Sequence, residues 1–363
     1  SQTRHELPAW ESLAVREQRL TSAGQPSPNK PSRSTKACCS HDPKMTDLAE
    51  PLPGVPLSKN RNPVIGYSLY VVAALLFAVN GTVSKSILLT GITPSRLIEL
   101  RVTAAFLVLL TIVAITRPRA LRIRKDEVLL ILFFGIAGIA MTQWMFFIAL
   151  ERLAVGIALI IEFTAPIMVA LYFRFVRQQS VRPTVWLGLV LALTGLMFVA
   201  QVWQGFTLDA LGVAAAFAAA AALSVYYITA EDQLHRPNPR DPVSLTMWGF
   251  GAAAAFFAVI QPWWSFPWES LAGTGTPLGS DGPQVSLLVL TGWMVLLGTV
   301  APFWLVVASL HHIRAAQAAT IGMIEPVMAA GFAWLALAEI LSLPQVIGGV
   351  IVLIGVYIAE RSR

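Results

Sequence analysis

Ten apolar stretches follow one another between residues 64 and 360, each close to the ~20 residues a helix needs to cross a ~30 Å hydrocarbon core. They cover 64–89, 95–116, 128–150, 153–175, 184–203, 208–230, 242–263, 286–310, 315–337 and 343–360. Lipid offers no water to backbone groups, so a spanning segment must satisfy its hydrogen bonds internally, and stretches of this length predict helices. Strands of a membrane barrel would be about ten residues long and alternate in polarity. None of these stretches alternates. The expected fold is all-α and integral to the membrane, and a composition that is 56% hydrophobic and only 13% charged agrees with it.

The formal net charge of +6 does not point to nucleic acid, because the basic residues lie between the apolar stretches. Their distribution orients the chain instead. One alternate set of connections carries Lys59, Arg61, Arg117, Arg119, Arg122, Arg124, Lys125, Arg174, Arg177, Arg182, Arg236, Arg240, Arg314, Arg361 and Arg363, 15 in all, while the opposite set carries only Arg96 and Arg152. This bias predicts that both termini are cytoplasmic, which needs an even number of crossings. Ten satisfies it. The longest outer connection, 264–285, has no Lys or Arg and adjoins Trp263, Trp264 and Trp268, residues that favour the membrane interface.

Residues 1–63 are rich in Pro, Ser, Lys and Arg, lack an apolar period, and are expected to be disordered. No signal peptide is read there, and Met45 is a candidate start. Cys38 and Cys39, the two cysteines, are adjacent and cannot frame a disulfide scaffold or a zinc site. His311 and His312 lack the spacing of a metal pair, and Glu339 is expected to cap an outer helix end. Glu231 and Asp232 are expected in a solvated loop.

Residues 149–200 can be laid on 309–360 at a constant offset of 160 without a gap. Pro166 then falls on Pro326, Gly188 on Gly348 and Gly195 on Gly355. Ala158/Ala318, Ile161/Ile321, Met168/Met328 and Ala170/Ala330 match as well. The expected halves, 64–203 and 204–363, each hold five helices, and an odd number places them in opposite orientations. Inverted five-helix repeats are an architecture of secondary transporters, with the solute site at the repeat interface near mid-membrane.

The stretches GIALIIEFTAPIMVAL at 156–171 and IGMIEPVMAA at 321–330 resemble the paired halves of the EamA family of the drug/metabolite transporter superfamily. VSKSILL at 83–89, the Arg101 helix and the EFTAP phrase are most similar to the threonine/homoserine exporter branch. The resemblance covers about 64–360 and implies a ten-helix carrier that exports small metabolites, often amino acids, by a proton gradient or by exchange.

Ionisable groups within membrane spans cost several kcal/mol unless paired or hydrated, which makes each a functional candidate. Glu162 and Glu325 lie near the centres of their helices. Pro166 cannot donate to the carbonyl of residue 162, and Pro326 likewise frees that of Gly322, so each acid sits beside a broken backbone ladder. Glu162 or Glu325 is expected to bind a solute amino group or carry the coupled proton. Lys85 and Arg101 are candidates for a solute carboxylate or for a structural ion pair with a nearby glutamate, the latter being the expectation for Arg101. Asn80, Gln143 and Tyr227 are the expected polar companions. No catalytic set, metal or cofactor is read. The expected partners are a small-molecule solute and the bilayer, with a homodimer left open. A membrane-embedded transferase needs clustered acids or histidines at one membrane face, whereas the loops here carry isolated acids such as Glu269 and Asp281.

Overall fold

The computed structural model describes residues 62–362 apart from 154, 205–208, 237, 278–281 and 338–340. The expectations placed on residues 1–61, including Cys38, Cys39 and Met45, and on Asp281 and Glu339 fall outside the described residues. Ten apolar helices follow: α1 (Pro63–Leu88), α2 (Pro94–Thr116), α3 (Val128–Arg152), α4 (Gly156–Val176), α5 (Pro183–Val199), α6 (Ala210–Leu234), α7 (Pro242–Ile260), α8 (Leu287–Ser309), α9 (Ala315–Leu335) and α10 (Leu343–Arg361). Nine have 19 residues or more, while α5 has 17 and rises about 25 Å, near the lower limit for a span.

Local chemistry explains several of the boundaries. Proline occupies the first turn of α2, α5, α7 and α10, where a missing N–H costs nothing. Asp209 and Asp241 cap α6 and α7 by accepting from the N–H groups of Gly212 and Ser244. The connection after α7 holds two short 3₁₀ turns and a two-residue antiparallel pairing of Thr274–Gly275 with Val285–Ser286. Trp263 stacks on Trp268 there, with ring centroids 5.7 Å apart.

Glu231 and Asp232 are not in a loop. α6 runs through both to Leu234, because each finds a partner there. Asp232 pairs with Arg177 at 2.5 Å, and Glu231 accepts the N–H of Ala315 at 2.9 Å, capping the start of α9.

The connection between α2 and α3 is held by a buried ion pair. Arg240 Nη2 lies 2.6 Å from Glu127 Oε2, with 8% and 5% of the two side chains exposed. The same guanidinium donates to the Arg122 carbonyl at 2.9 Å and the Ser244 hydroxyl at 2.9 Å, and Arg124 contacts the other Glu127 oxygen at 2.6 Å. Arg240 and Glu127 are buried within this network, while Arg124 stays about half exposed.

α5 and α10 cross in backbone contact. A Cβ built on Gly188 would lie 2.6 Å from the Gly355 carbonyl oxygen, and one on Gly195 2.7 Å from that of Gly348. Gly188 therefore faces Gly355 and Gly195 faces Gly348, an antiparallel arrangement in which each glycine meets the repeat mate of the other. Reciprocal contact of this kind is what a local two-fold relation between the two helices produces. Gly195→Ala should destabilise the protein by about 1–3 kcal/mol through overpacking. Gly331→Ala, where a Cβ meets nothing within 4 Å, should leave thermal unfolding in detergent unchanged or slightly raised. Equal melting temperatures for the two variants would remove the close-contact account.

Candidate functional site

Two helices of the bundle are broken at matching points. In α4 the Thr164 N–H bonds to the Ile161 carbonyl at 3.1 Å, and in α9 the Ile324 N–H bonds to the Ile321 carbonyl at 2.9 Å, tight turns exactly one repeat apart in place of helical bonds. Pro166 and Pro326 follow each turn and restart the helix, since proline is tolerated in a first turn but cannot donate within the ladder. Glu162 is the last residue before the break in α4, and Glu325 is the first residue after the break in α9. This explains why acids at non-equivalent repeat positions reach the same level.

The breaks border a cavity of about 320 Å³ inside the bundle. Glu162 and Glu325 both line it. So do Asn80 from α1, Arg101 from α2, Gln143 from α3 and Tyr227 from α6. Six of the seven residues expected to bind solute or couple protons thus surround one space. The seventh, Lys85, lies on α1, with its side chain outside the described residues. Pro166 and Pro326 do not line it and act through the backbone breaks they follow.

Arg101 differs from expectation. Its guanidinium donates to Gln143 Oε1, and among the described residues it forms no ion pair. The glutamate on its own helix, Glu99, is fully buried and already engaged by Arg96 at 2.7 Å, one turn earlier. Arg96 also reaches the Pro262 carbonyl at 3.3 Å, so the structural pair on α2 is Arg96–Glu99. Arg101 Nε and Gln143 Nε2 have no hydrogen-bond partner among the described residues. A cation without a counter-charge is thereby placed in the same cavity as two carboxyl groups.

Sequence reasoning missed Tyr70, Ser84, Tyr226 and two glycines. Tyr70 and Tyr226 are buried aromatics whose pattern is that of ordinary core residues. Gly138 and Gly298 did carry a signal, because they also stand 160 residues apart. Each sits in a π-helical segment, Phe134–Ala140 in α3 and Leu296–Val300 in α8. Such segments recur at functional sites. A Cβ at Gly138 would lie 3.1 Å from Tyr226 Cα, and one at Gly298 would collide with the Asn80 amide. The two glycines therefore let α6 and α1 approach, which positions Tyr226 and Asn80 on the cavity wall.

The EamA-like transporter family model matches residues 64–201 and again 210–360. The chain is 24% identical over 268 residues to the transporter YdfC of Bacillus subtilis, itself uncharacterized, covering 74% of this chain and 82% of that protein. It is 27% identical over 240 residues to the threonine/homoserine exporter RhtA of Salmonella typhimurium, covering 66% of this chain and 73% of the relative. A solved crystal structure has the same fold, with a TM-score of 0.65 at 18% identity over 82% of this chain and 96% of its own. With the family model matching most of the membrane region in two consecutive copies, the chain belongs to the EamA-like transporter family.

Proposed function

We propose that this protein is a secondary carrier that exports small metabolites, amino acids of the threonine and homoserine kind, across the cytoplasmic membrane by proton coupling or exchange. Its halves, 64–203 and 204–363, act as inverted repeats about the cavity, and both termini face the cytoplasm. The observation that carries this reading is the meeting of Glu162, Glu325 and Arg101 in one cavity. A zwitterionic solute presents one group to each charge: its carboxylate suits the guanidinium, and its ammonium suits a carboxyl group. One acid remains to exchange a proton with the path. Aromatic walls from Phe77, Phe147 and Phe303 complete the cavity, whose volume lies at the small end of ligand sites. The similarity to the threonine/homoserine exporter RhtA supports the solute class.

Counterflow in proteoliposomes tests this. Liposomes preloaded with threonine or homoserine should take up the labelled amino acid, and an imposed pH gradient should change the initial rate several-fold. No uptake across an amino-acid panel, with folded protein shown in parallel, would remove the amino-acid assignment and leave the family membership standing.

A further inference from the structure

The short helical segment Ala315–Gly322 of α9 is a wall shared by two cavities. Gly322 at its end faces the cavity of Glu162 and Glu325, while Ala316 and Gln317 at its start line a second cavity of about 510 Å³. From Gln317 to Gly322 the helix rises only about 8 Å. The second cavity is lined by Phe173 near the end of α4, Arg182 before α5 and Ser362 after α10, all at the end of the bundle that carries the arginine-rich connections. The first cavity extends the other way. Gly81, far along α1, lines it and is exposed, and a Cβ built there meets nothing within 4 Å.

Between them stand two layers of side chains. Tyr70 of α1 and Tyr227 of α6 are both buried and share a hydroxyl–hydroxyl hydrogen bond. Both converge on Gly322, where a Cβ would lie 2.8 Å from the Tyr70 oxygen and 3.4 Å from the Tyr227 oxygen. One turn earlier on α1, the Tyr67 hydroxyl accepts from the Gln317 amide at 2.6 Å and donates to Glu360 at 2.8 Å. These contacts bridge helices through polar side chains whose partners water can replace. Gly322 adds no side chain to interlock. Opening this partition breaks these polar contacts and also moves the Tyr70 and Tyr227 rings, which pack in the apolar core.

We propose that the second cavity is the opposite mouth of the transport path, and that the Tyr70–Tyr227 pair seated on Gly322 is the barrier separating it from the carboxylate-lined cavity in this conformation. This rests on the carrier reading of the first cavity. Parting the tyrosines while the helices close around Gly81 gives solute access from one side at a time.

Thiol labelling decides it. With Cys38 and Cys39 replaced by serine, Gly81→Cys and Ser180→Cys are made in separate proteins and treated with a membrane-impermeant maleimide in right-side-out and inverted vesicles. The two cysteines should react from opposite sides, with Gly81→Cys at least tenfold slower from the side that reaches Ser180→Cys. Adding Tyr70→Ala should raise that slow rate tenfold or more without changing the labelling of Ser180→Cys. Tyr227→Ala should do the same from the other half of the pair, and serves where Tyr70→Ala yields little folded protein. Reaction of both cysteines from one side while the tyrosines are intact, or rates unmoved by both tyrosine variants, overturns the barrier assignment. Labelling needs no solute, so loss of the amino-acid assignment in counterflow would not alter this readout.

Discussion

Glu162→Gln is expected to lower gradient-driven uptake in proteoliposomes by about a hundredfold, the scale on which a positioned proton-transfer group acts. Glutamine keeps the shape and the polar contacts but cannot release a proton or carry charge. Glu162 lies at the break of α4 and lines the cavity, and among the described residues it forms no ion pair. Removing its charge therefore leaves no buried arginine stranded, and the yield of folded protein should not change. Counterflow separates the two roles open to it. If Glu162 carries the coupled proton, solute exchange without a gradient survives the substitution. If it holds the solute ammonium, exchange is lost as well, and Glu325→Gln becomes the variant that uncouples. Uptake at the unmodified rate with full response to the gradient would make Glu162 a bystander.

Arg240→Met should give the largest loss of stability, on the order of 3 kcal/mol, because it leaves Glu127 buried without its main partner. Methionine retains much of the apolar stem, so the loss reports on charge and hydrogen bonding. Glu127→Gln added to Arg240→Met should recover much of it by removing the stranded charge. Burial works against the ionised Glu127, but hydrogen bonds and charge from Arg240 and Arg124 outweigh it and hold its pKa below the ordinary 4.5. The pair's contribution is therefore complete above that ordinary value and disappears as the pH falls through the lower folded value. In thermal unfolding from pH 3 to 8, the gap between the native protein and Arg240→Met should stay level near neutrality and narrow below about pH 4.5. A gap independent of pH throughout would mean that packing, not the ion pair, accounts for the loss.

The helices were legible because lipid leaves few alternatives for an apolar stretch of twenty residues, and their ends were marked by proline and aspartate caps. Glu162, Glu325 and Arg101 stood out because ionisable groups are rare in such text. Partner choice was less legible. Arg96 reads as a loop cation in the sequence, yet it reaches forward one turn to take the buried Glu99, which leaves Arg101 to Gln143. Glu231 and Asp232 read as solvated for the same reason: their partners, Ala315 and Arg177, are more than 50 residues away along the chain. Tyr70 and Tyr227 are ordinary aromatics until folding brings their hydroxyls together over a glycine.

The glycine crossing of α5 and α10 bears on how such a protein moves. With carbonyls of one helix resting on the bare Cα atoms of the other, neither can slide by a residue without driving a leucine, isoleucine or valine side chain into backbone. The crossing behaves as an axle: it tolerates small rotations about the contact point and resists translation. Changes in cavity shape then fall to the broken helices α4 and α9 and to the π-helical segments of α3 and α8, whose backbone ladders are already interrupted. A cross-link between α5 and α10 should therefore leave turnover nearly intact, whereas one between α1 and α6 beside the tyrosine pair should stop it.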